Sequence, residues 1–228
     1  MNLARAHFER QNAKQTAEKM AVYGEMQHAT TYELKLANLA NDKHRLKQLQ
    51  SLELKNDLKT RLIDDYIPYC EGVLSSGGGV QDEVLMTIMV WCIDLRRYDF
   101  ALKIARYALQ HELIMPDSFK RCVACVVVEE IAEIEIKRLK QDESAAIDTL
   151  ESLHELLNDD SLSKTARDMP DEVRAKLYLA IGRHYLMQAK EIGKGADLAV
   201  NALSAALSLH DKCGGKSDLA QAKKLAAA

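Results

Sequence analysis

From Asn2 to Gln27 the chain is polar at most positions, with Arg5, Arg10, Lys14 and Lys19 spread among few large apolar side chains. The pattern predicts a helix that cannot bury itself alone. Thr30-Thr31-Tyr32-Glu33 has the spacing of a capping box, the Thr30 hydroxyl accepting from the Glu33 amide and the Glu33 carboxylate returning to the Thr30 amide. A second helix is therefore expected from Thr30 toward Lys59. Leu39, Leu46, Leu49 and Leu52 form a stripe along it suited to a helical partner, and Lys43, Arg45, Lys47, Lys55 and Lys59 give it a basic surface.

Asp64-Asp65-Tyr66-Ile67-Pro68 places a proline where the first turn of a short helix accepts one, and Ser75-Ser76-Gly77-Gly78-Gly79 stops that helix. The next starts around Gln81-Asp82-Glu83, whose carboxylates face the positive end of the helix dipole, and runs through Val84, Leu85, Ile88 and Trp91. A turn at Arg96-Arg97-Tyr98-Asp99 leads to a helix with Ala101, Ala105 and Ala108 on one face, making a hairpin. Met115-Pro116-Asp117 and Met169-Pro170-Asp171 both read as helix starts with proline at the first position. The run Cys122 to Val128 is rich in valine and could be a short buried strand, but the pattern continues from Glu129 to Lys140 without a breaker and predicts a helix. After Pro170, Tyr178, Ile181, Gly182 and Tyr185, then Ala199, Leu203 and Ala206, occupy the offsets of a tetratricopeptide-type hairpin, with a connector longer than that repeat uses.

Composition narrows the fold class. Across 228 residues, 47% hydrophobic and 29% charged, there are only 3 Pro, 10 Gly and 5% aromatics, too few turn formers for a many-stranded sandwich or barrel. The expected class is all-α, built of helical hairpins. No apolar run reaches the ~20 residues of a bilayer span and Met1 to Arg10 lack the apolar core of a signal peptide, so a cytoplasmic protein without a membrane partner is expected. The five cysteines are an odd number, and all but Cys213 sit in apolar patterns, which predicts reduced core thiols and no disulfide.

The net charge of −3 hides an asymmetry. Residues 1–63 carry 11 basic and 7 acidic side chains, residues 64–163 carry 9 and 20, and residues 164–228 carry 11 and 7. Three segments follow: a basic helical stretch at 1–63, an acidic helical core at 64–163, and a carboxy-terminal helical hairpin at 164–228. Polyanion contact belongs to the basic ends, and Arg5, Arg10, Lys14, Lys19, Lys43, Arg45 and Lys47 are the candidate phosphate ligands.

Other chemistry is sparse. Cys122 and Cys125 form a lone C-x-x-C among valines, and the seven histidines have no metal spacing, so no metal site is expected. Gly77-Gly78-Gly79 lacks the Gly-Lys-Ser/Thr ending of a nucleotide loop and reads as a hinge. Asp64, Asp65, Asp82 and Glu83 are the candidates for a nuclease centre, which needs carboxylates holding metals about 4 Å apart. Adjacent positions on a helix point about 100° apart, however, and acids at helix starts already have a structural role.

One block goes further. Asp64-Tyr66-Pro68-Tyr69, Gly72-Val73-Leu74, Gly77, Gly79, Gln81-Asp82-Glu83-Val84-Leu85-Met86-Thr87, Met89-Val90-Trp91, Ala101-Leu102, Ile104-Ala105, Tyr107-Ala108-Leu109, Met115-Pro116, Glu129-Glu130 and Met169 to Leu177 resemble the small terminase subunit family of temperate tailed phages and their prophages. His28-Ala29-Thr30-Tyr32-Glu33 is similar too. The resemblance covers most of 28–180, and Gln81 to Trp91 is its most specific part. It implies a subunit that recognises double-stranded viral DNA at the packaging site, forms a homo-oligomer, expected to be a ring, and delivers DNA to the large terminase ATPase subunit in the host bacterial cytoplasm during virion assembly. DNA binding and oligomerisation then fall to the basic segment 1–63, and its seven phosphate candidates become the candidate DNA ligands. Members of the family are also described as the endonuclease subunit, which would require Mg²⁺; otherwise no cofactor is expected. Some members extend into a Lys/Arg/Pro-rich tail, whereas this chain ends Lys223-Lys224-Leu225-Ala226-Ala227-Ala228. A third reading is a helical-repeat scaffold that binds peptides.

Overall fold

The computed structural model describes residues 3–23, 30–116, 121–141 and 143–227, with the side chains of 19–23 and 30 outside that description. Among the described residues there are eleven α-helices and no strand, in two compact units, 1–123 and 124–228. The protein is all-α. This division follows packing, whereas the segments ending at 63 and 163 were drawn by charge.

The first unit holds α1 (Leu3–Tyr23), α2 (Thr30–Gln48), α3 (Leu52–Leu62), a 3₁₀ turn (Ile63–Asp65), α4 (Ile67–Ser76), α5 (Glu83–Asp94) and α6 (Tyr98–Gln110). Its centre is α5, where Val84 to Met89 and Trp91 to Ile93 are all buried. Such all-round burial fits a short helix that is apolar on every side. α5 and α6 form the expected hairpin, with Ala101, Ala105 and Ala108 fully buried. Pro68 stands in the first turn of α4, and Gly77, in the left-handed region at φ 64°, ends it.

The polar α1 buries a small-residue stripe, Ala6, Ala13 and Ala17, and packs on α4 at Gly72. A Cβ at Gly72 would run into the Arg10 carbonyl and stand 2.6 Å from the Ala13 Cβ. Only glycine lets the two backbones come this close.

Four sequence expectations change. α2 starts at Thr30 but stops at Gln48, because the Ser51 hydroxyl accepts from the Leu54 amide at 3.1 Å and caps a new helix, α3. The leucine stripe is therefore broken: Leu39 and Leu46 are buried, while Leu52 is 65% exposed. The long helix expected from Pro116 begins only at Val123, residues 113–116 and 121–122 being non-helical, and Asp117 lies outside the described residues. Cys70, Cys92 and Cys125 are buried thiols, but Cys122 is exposed, one position before the next helix.

The second unit contains α7 (Val123–Leu139), α8 (Ile147–Leu157), α9 (Asp171–Ile192), α10 (Ala196–Leu209) and α11 (Lys216–Ala226). The valine-rich run is helical. α9 and α10 pack closely, with Gly182 so near Leu203 that a Cβ there would stand 2.6 Å from its Cγ. Leu179, Leu186, Ala199, Leu203, Ala206 and Ala222 form the core where α11 closes on this pair. Buried Glu135 accepts from Arg138 and from the Ala146 amide, 2.9 and 2.8 Å, tying the end of α7 to the start of α8.

Candidate nucleic-acid interface

The basic surface of 1–63 is carried by α1 and α2, and Lys35 fixes their mutual position. Lys35 is 8% exposed; its ammonium donates to Glu9 of α1 at 3.2 Å and to the Asp65 carbonyl at 2.8 Å, and lies 5.6 Å from the centre of the Tyr66 ring. Burial pushes the Glu9 carboxyl up, but Arg5 and Lys35 beside it hold it below the usual carboxylate range. A buried ammonium paired and hydrogen-bonded in this way is a rigid strut.

Most of the candidate DNA ligands already face acids. Arg5 bonds Glu9 at 3.0 Å, Arg10 approaches Glu71 at 2.5 Å, Lys14 lies 3.8 Å from Glu18, Lys43 reaches Glu83 at 2.8 Å and Arg45 bonds Asp42 at 2.9 Å. Exposed pairs of this kind contribute about 0–1 kcal/mol and leave the cation able to take a second anionic partner. Lys47 is exposed and has no carboxylate within ion-pair range among the described residues, while the Lys19 side chain lies outside them. Arg10 and Lys43 differ from the rest, since their bonds to Glu71 and Glu83 staple α1 to α4 and α2 to α5.

The exposed face of α2 carries a feature that charge counting misses. Asn38, Asn41, His44, Arg45, Lys47 and Gln48 are exposed there with Ala37 and Ala40 between them, and no exposed carboxylate stands from 34 to 48. Asn38, Asn41 and Arg45 line a cleft of about 260 Å³ together with Arg5, Lys35, Asp42, Leu62, Asp65 and Tyr66, so its lining includes two acidic residues. The spacing of three and four was readable in the sequence, but the leucine stripe and the lysines drew attention to other faces.

The four nuclease candidates have separate surroundings. Asp64 accepts from Arg97 at 2.6 Å, and exposed Asp65 offers its backbone carbonyl to Lys35. Glu83 pairs with Lys43. Asp82 is 6% exposed and caps α5, accepting from the Leu85 amide at 2.8 Å and from the Tyr69 hydroxyl at 2.5 Å. Burial raises its carboxyl above the usual range, against the opposing pull of Tyr69 and the α5 amides. Among the described residues no three His, Cys, Asp or Glu side chains are placed to hold a metal ion. The glycine loop before α5 is pinned, Gly79 donating to the Tyr107 hydroxyl at 2.8 Å and Gln81 bonding both the amide and the carbonyl of Ile114.

The first unit thus presents a cationic, amide-bearing helix face in an all-helical frame. Residues 36–172 match the phage small terminase subunit family, and the chain belongs to that family, which places it in phage DNA packaging. Over 179 residues it is 41% identical to the terminase, endonuclease subunit, of Escherichia phage P2, covering 78% of this chain and 69% of that protein. No solved structure matches. Among the described residues no helix is long and apolar enough to cross a membrane.

Proposed function

We propose that this chain recognises double-stranded viral DNA at the packaging site, assembles with copies of itself and hands that DNA to the large terminase ATPase subunit in the host cytoplasm. The observation that carries the reading is the family match over 36–172, which includes α2 from residue 36 onward. The cationic surface of α1 and α2 is the DNA side, with Arg5, Lys14, Lys43 and Lys47 on phosphates, Lys19 alongside them and Arg45 on the same surface. Arg10 acts mainly by holding α1 in place. Replacing Lys43 and Lys47 together by Ala should weaken binding to a duplex fragment of the phage genome. Each lost phosphate contact lowers the slope of log affinity against log salt by about 0.9, so a drop of about 2 is expected. Fluorescence anisotropy across a salt series measures it, and an unchanged slope would move the DNA surface to 164–228.

α3 supports self-association. It is 11 residues long and buries none of them, and an isolated helix of that length is marginal in water. Lys59 to Asp94, 2.5 Å, holds it to α5, yet Leu52 and Leu54 stay 65% and 52% exposed. A second copy covering them completes the helix's burial, and a closed ring is the assembly we propose. Leu52→Asp with Leu54→Asp should release monomers in sedimentation velocity at micromolar concentration while leaving the helical circular-dichroism signal in place. A wild-type monomer at that concentration would remove the proposal.

The name of the phage P2 relative favours a second reading, that this chain cuts the packaging site itself with Mg²⁺. Asp64, Asp65, Asp82 and Glu83 would be the ligands. Their separate surroundings argue against a shared metal, and the cleavage test is given with Asp82 below.

A further inference from the structure

α2 has two faces of opposite character. Lys35, Leu39 and Leu46 point inward, buried, with Asp42 beside them bonded to the Tyr66 hydroxyl at 2.8 Å. The outward face presents Leu34, Asn38, Asn41 and Arg45, and this composition is unusual for a solvated helix surface. Asparagine is among the poorer helix formers, and in mid-helix it is tolerated rather than favoured. Neither Asn38 nor Asn41 has a hydrogen-bond partner among the described residues, so neither amide stabilises the fold. A local rule broken twice on one face, without structural compensation, marks a surface kept for a ligand.

The ligand chemistry follows from the side chains. An asparagine amide offers a donor and an acceptor side by side, the pattern that matches the N6 and N7 edge of adenine in the major groove, while an arginine fork matches the O6 and N7 edge of guanine. Ala37 and Ala40 are small enough for the helix backbone to come close to base edges. Leu34, 62% exposed at the start of the same face, offers the apolar contact that a thymine methyl accepts. From Asn38 to Arg45 the helix rises about 10 Å, the height of about three stacked base pairs. Arg45 is held as well as exposed. Its guanidinium bonds Asp42, Asp42 also accepts from Tyr66, and Tyr66 is buried against the edge of Trp91 at 5.9 Å between ring centres. This chain runs from the core of the unit to the tip of one side chain.

We infer that the Asn38, Asn41 and Arg45 face of α2 reads base edges in the major groove of the packaging-site duplex, over a core of about three base pairs containing adenine and guanine, with the Tyr66 and Asp42 pair positioning Arg45. The inference rests on the DNA-recognition reading above and names the residues that supply its specificity. Lysines of α1 and α2 take phosphates, which gives affinity without sequence; the amide face adds the selection.

The test starts from a pool of duplexes with a randomised central segment, enriched on the wild-type protein. The affinity ratio between the enriched duplex and a scrambled one of equal composition is then measured for the wild type, Asn38→Ala, Asn41→Ala, Arg45→Lys and Tyr66→Phe. Each asparagine variant should lose about tenfold in this ratio, while its thermal midpoint stays level or rises, because alanine is the better helix former. Arg45→Lys should lose a comparable factor by forfeiting the fork. Tyr66→Phe should lose less, and the loss should vanish in the background of Arg45→Lys if it acts through that side chain. Unchanged ratios in both asparagine variants would overturn the inference. So would a wild type that binds duplexes at low salt yet enriches no sequence, and that outcome leaves DNA binding standing. A wild type that binds no duplex at low salt overturns the recognition reading and this inference together.

Discussion

Gly72→Ala should detach α1 from the first unit. The added methyl has nowhere to go, since the Arg10 carbonyl lies directly in its path and the Ala13 Cβ would be 2.6 Å away. Two of these obstacles, the Arg10 carbonyl and the Lys14 amide nitrogen at 3.0 Å, are backbone and cannot rotate aside. Alanine is the better helix former by up to ~1 kcal/mol, so helix propensity alone predicts stabilisation. Steric overpacking of about 1–3 kcal/mol opposes it and wins here, because among the described residues α1 is held mainly by three small alanines, the Arg10 to Glu71 pair and the bond from Lys35 to Glu9. The expected result is a net loss of about 1–2 kcal/mol in a urea titration, with faster tryptic cleavage at Arg10 and Lys14. Ala13→Gly in the same chain should recover part of the loss by removing one of the three contacts. An unchanged midpoint and unchanged cleavage would mean that α1 does not depend on this crossing.

The same crossing explains what the sequence left hidden. The hydrophobic pattern located α5, α6 and the α9 and α10 pair because their buried faces are made of large or regularly spaced apolar residues, whose period survives in one dimension. α1 has no such face. Its contact depends on Ala13 meeting a glycine that lies in a different helix, and nothing local connects the two positions. The break between α2 and α3 was missed for a related reason: the leucines continue in register across 49–51, and a single hydroxyl, Ser51, decides against continuity by offering the Leu54 amide a nearer acceptor. Pro116 misled in the opposite direction, since a proline fits a helix start but equally fits the irregular segment it occupies here.

The basic residues show the limit of charge counting. Their excess over 1–63 was real, yet Arg10, Lys43 and Arg45 are bonded to acids of the same unit, two of which, Glu71 and Glu83, lie in the segment counted as acidic. The excess is therefore partly neutralised on folding. What remains outward on α2 is a mixture of cations and neutral amides, and the amides contribute nothing to a charge count.

Asp82 is where a structural and a catalytic reading of the same residue make opposite forecasts. Its side chain satisfies two groups that have no other partner in view: the Leu85 amide at the start of α5 and the hydroxyl of Tyr69, which is 3% exposed. Asp82→Ala removes the helix cap, at ~1 kcal/mol, and strands a buried phenol, at ~2 kcal/mol, so a loss of about 3 kcal/mol is expected in denaturant titration. Asp82→Asn keeps an acceptor for the amide and a donor that the phenol oxygen can accept, and should cost about 1 kcal/mol or less. Because burial holds the native Asp82 carboxyl above its ordinary value, the folded state binds a proton that the unfolded state has already released. Its contribution to stability therefore falls as pH rises from the usual aspartate range through the raised value. The asparagine side chain does not titrate, so the stability difference should shift in favour of the variant as pH rises above about 4, the ordinary aspartate value. Incubating the purified wild type with Mg²⁺ and supercoiled phage DNA, without the large subunit, separates the two readings. No nicking is expected, and Asp82→Asn and Glu83→Gln should bind duplex DNA as the wild type does. Nicking by the wild type that disappears in Asp82→Asn, a variant folded by its denaturation midpoint, would assign this carboxylate to the metal and make the chain the endonuclease.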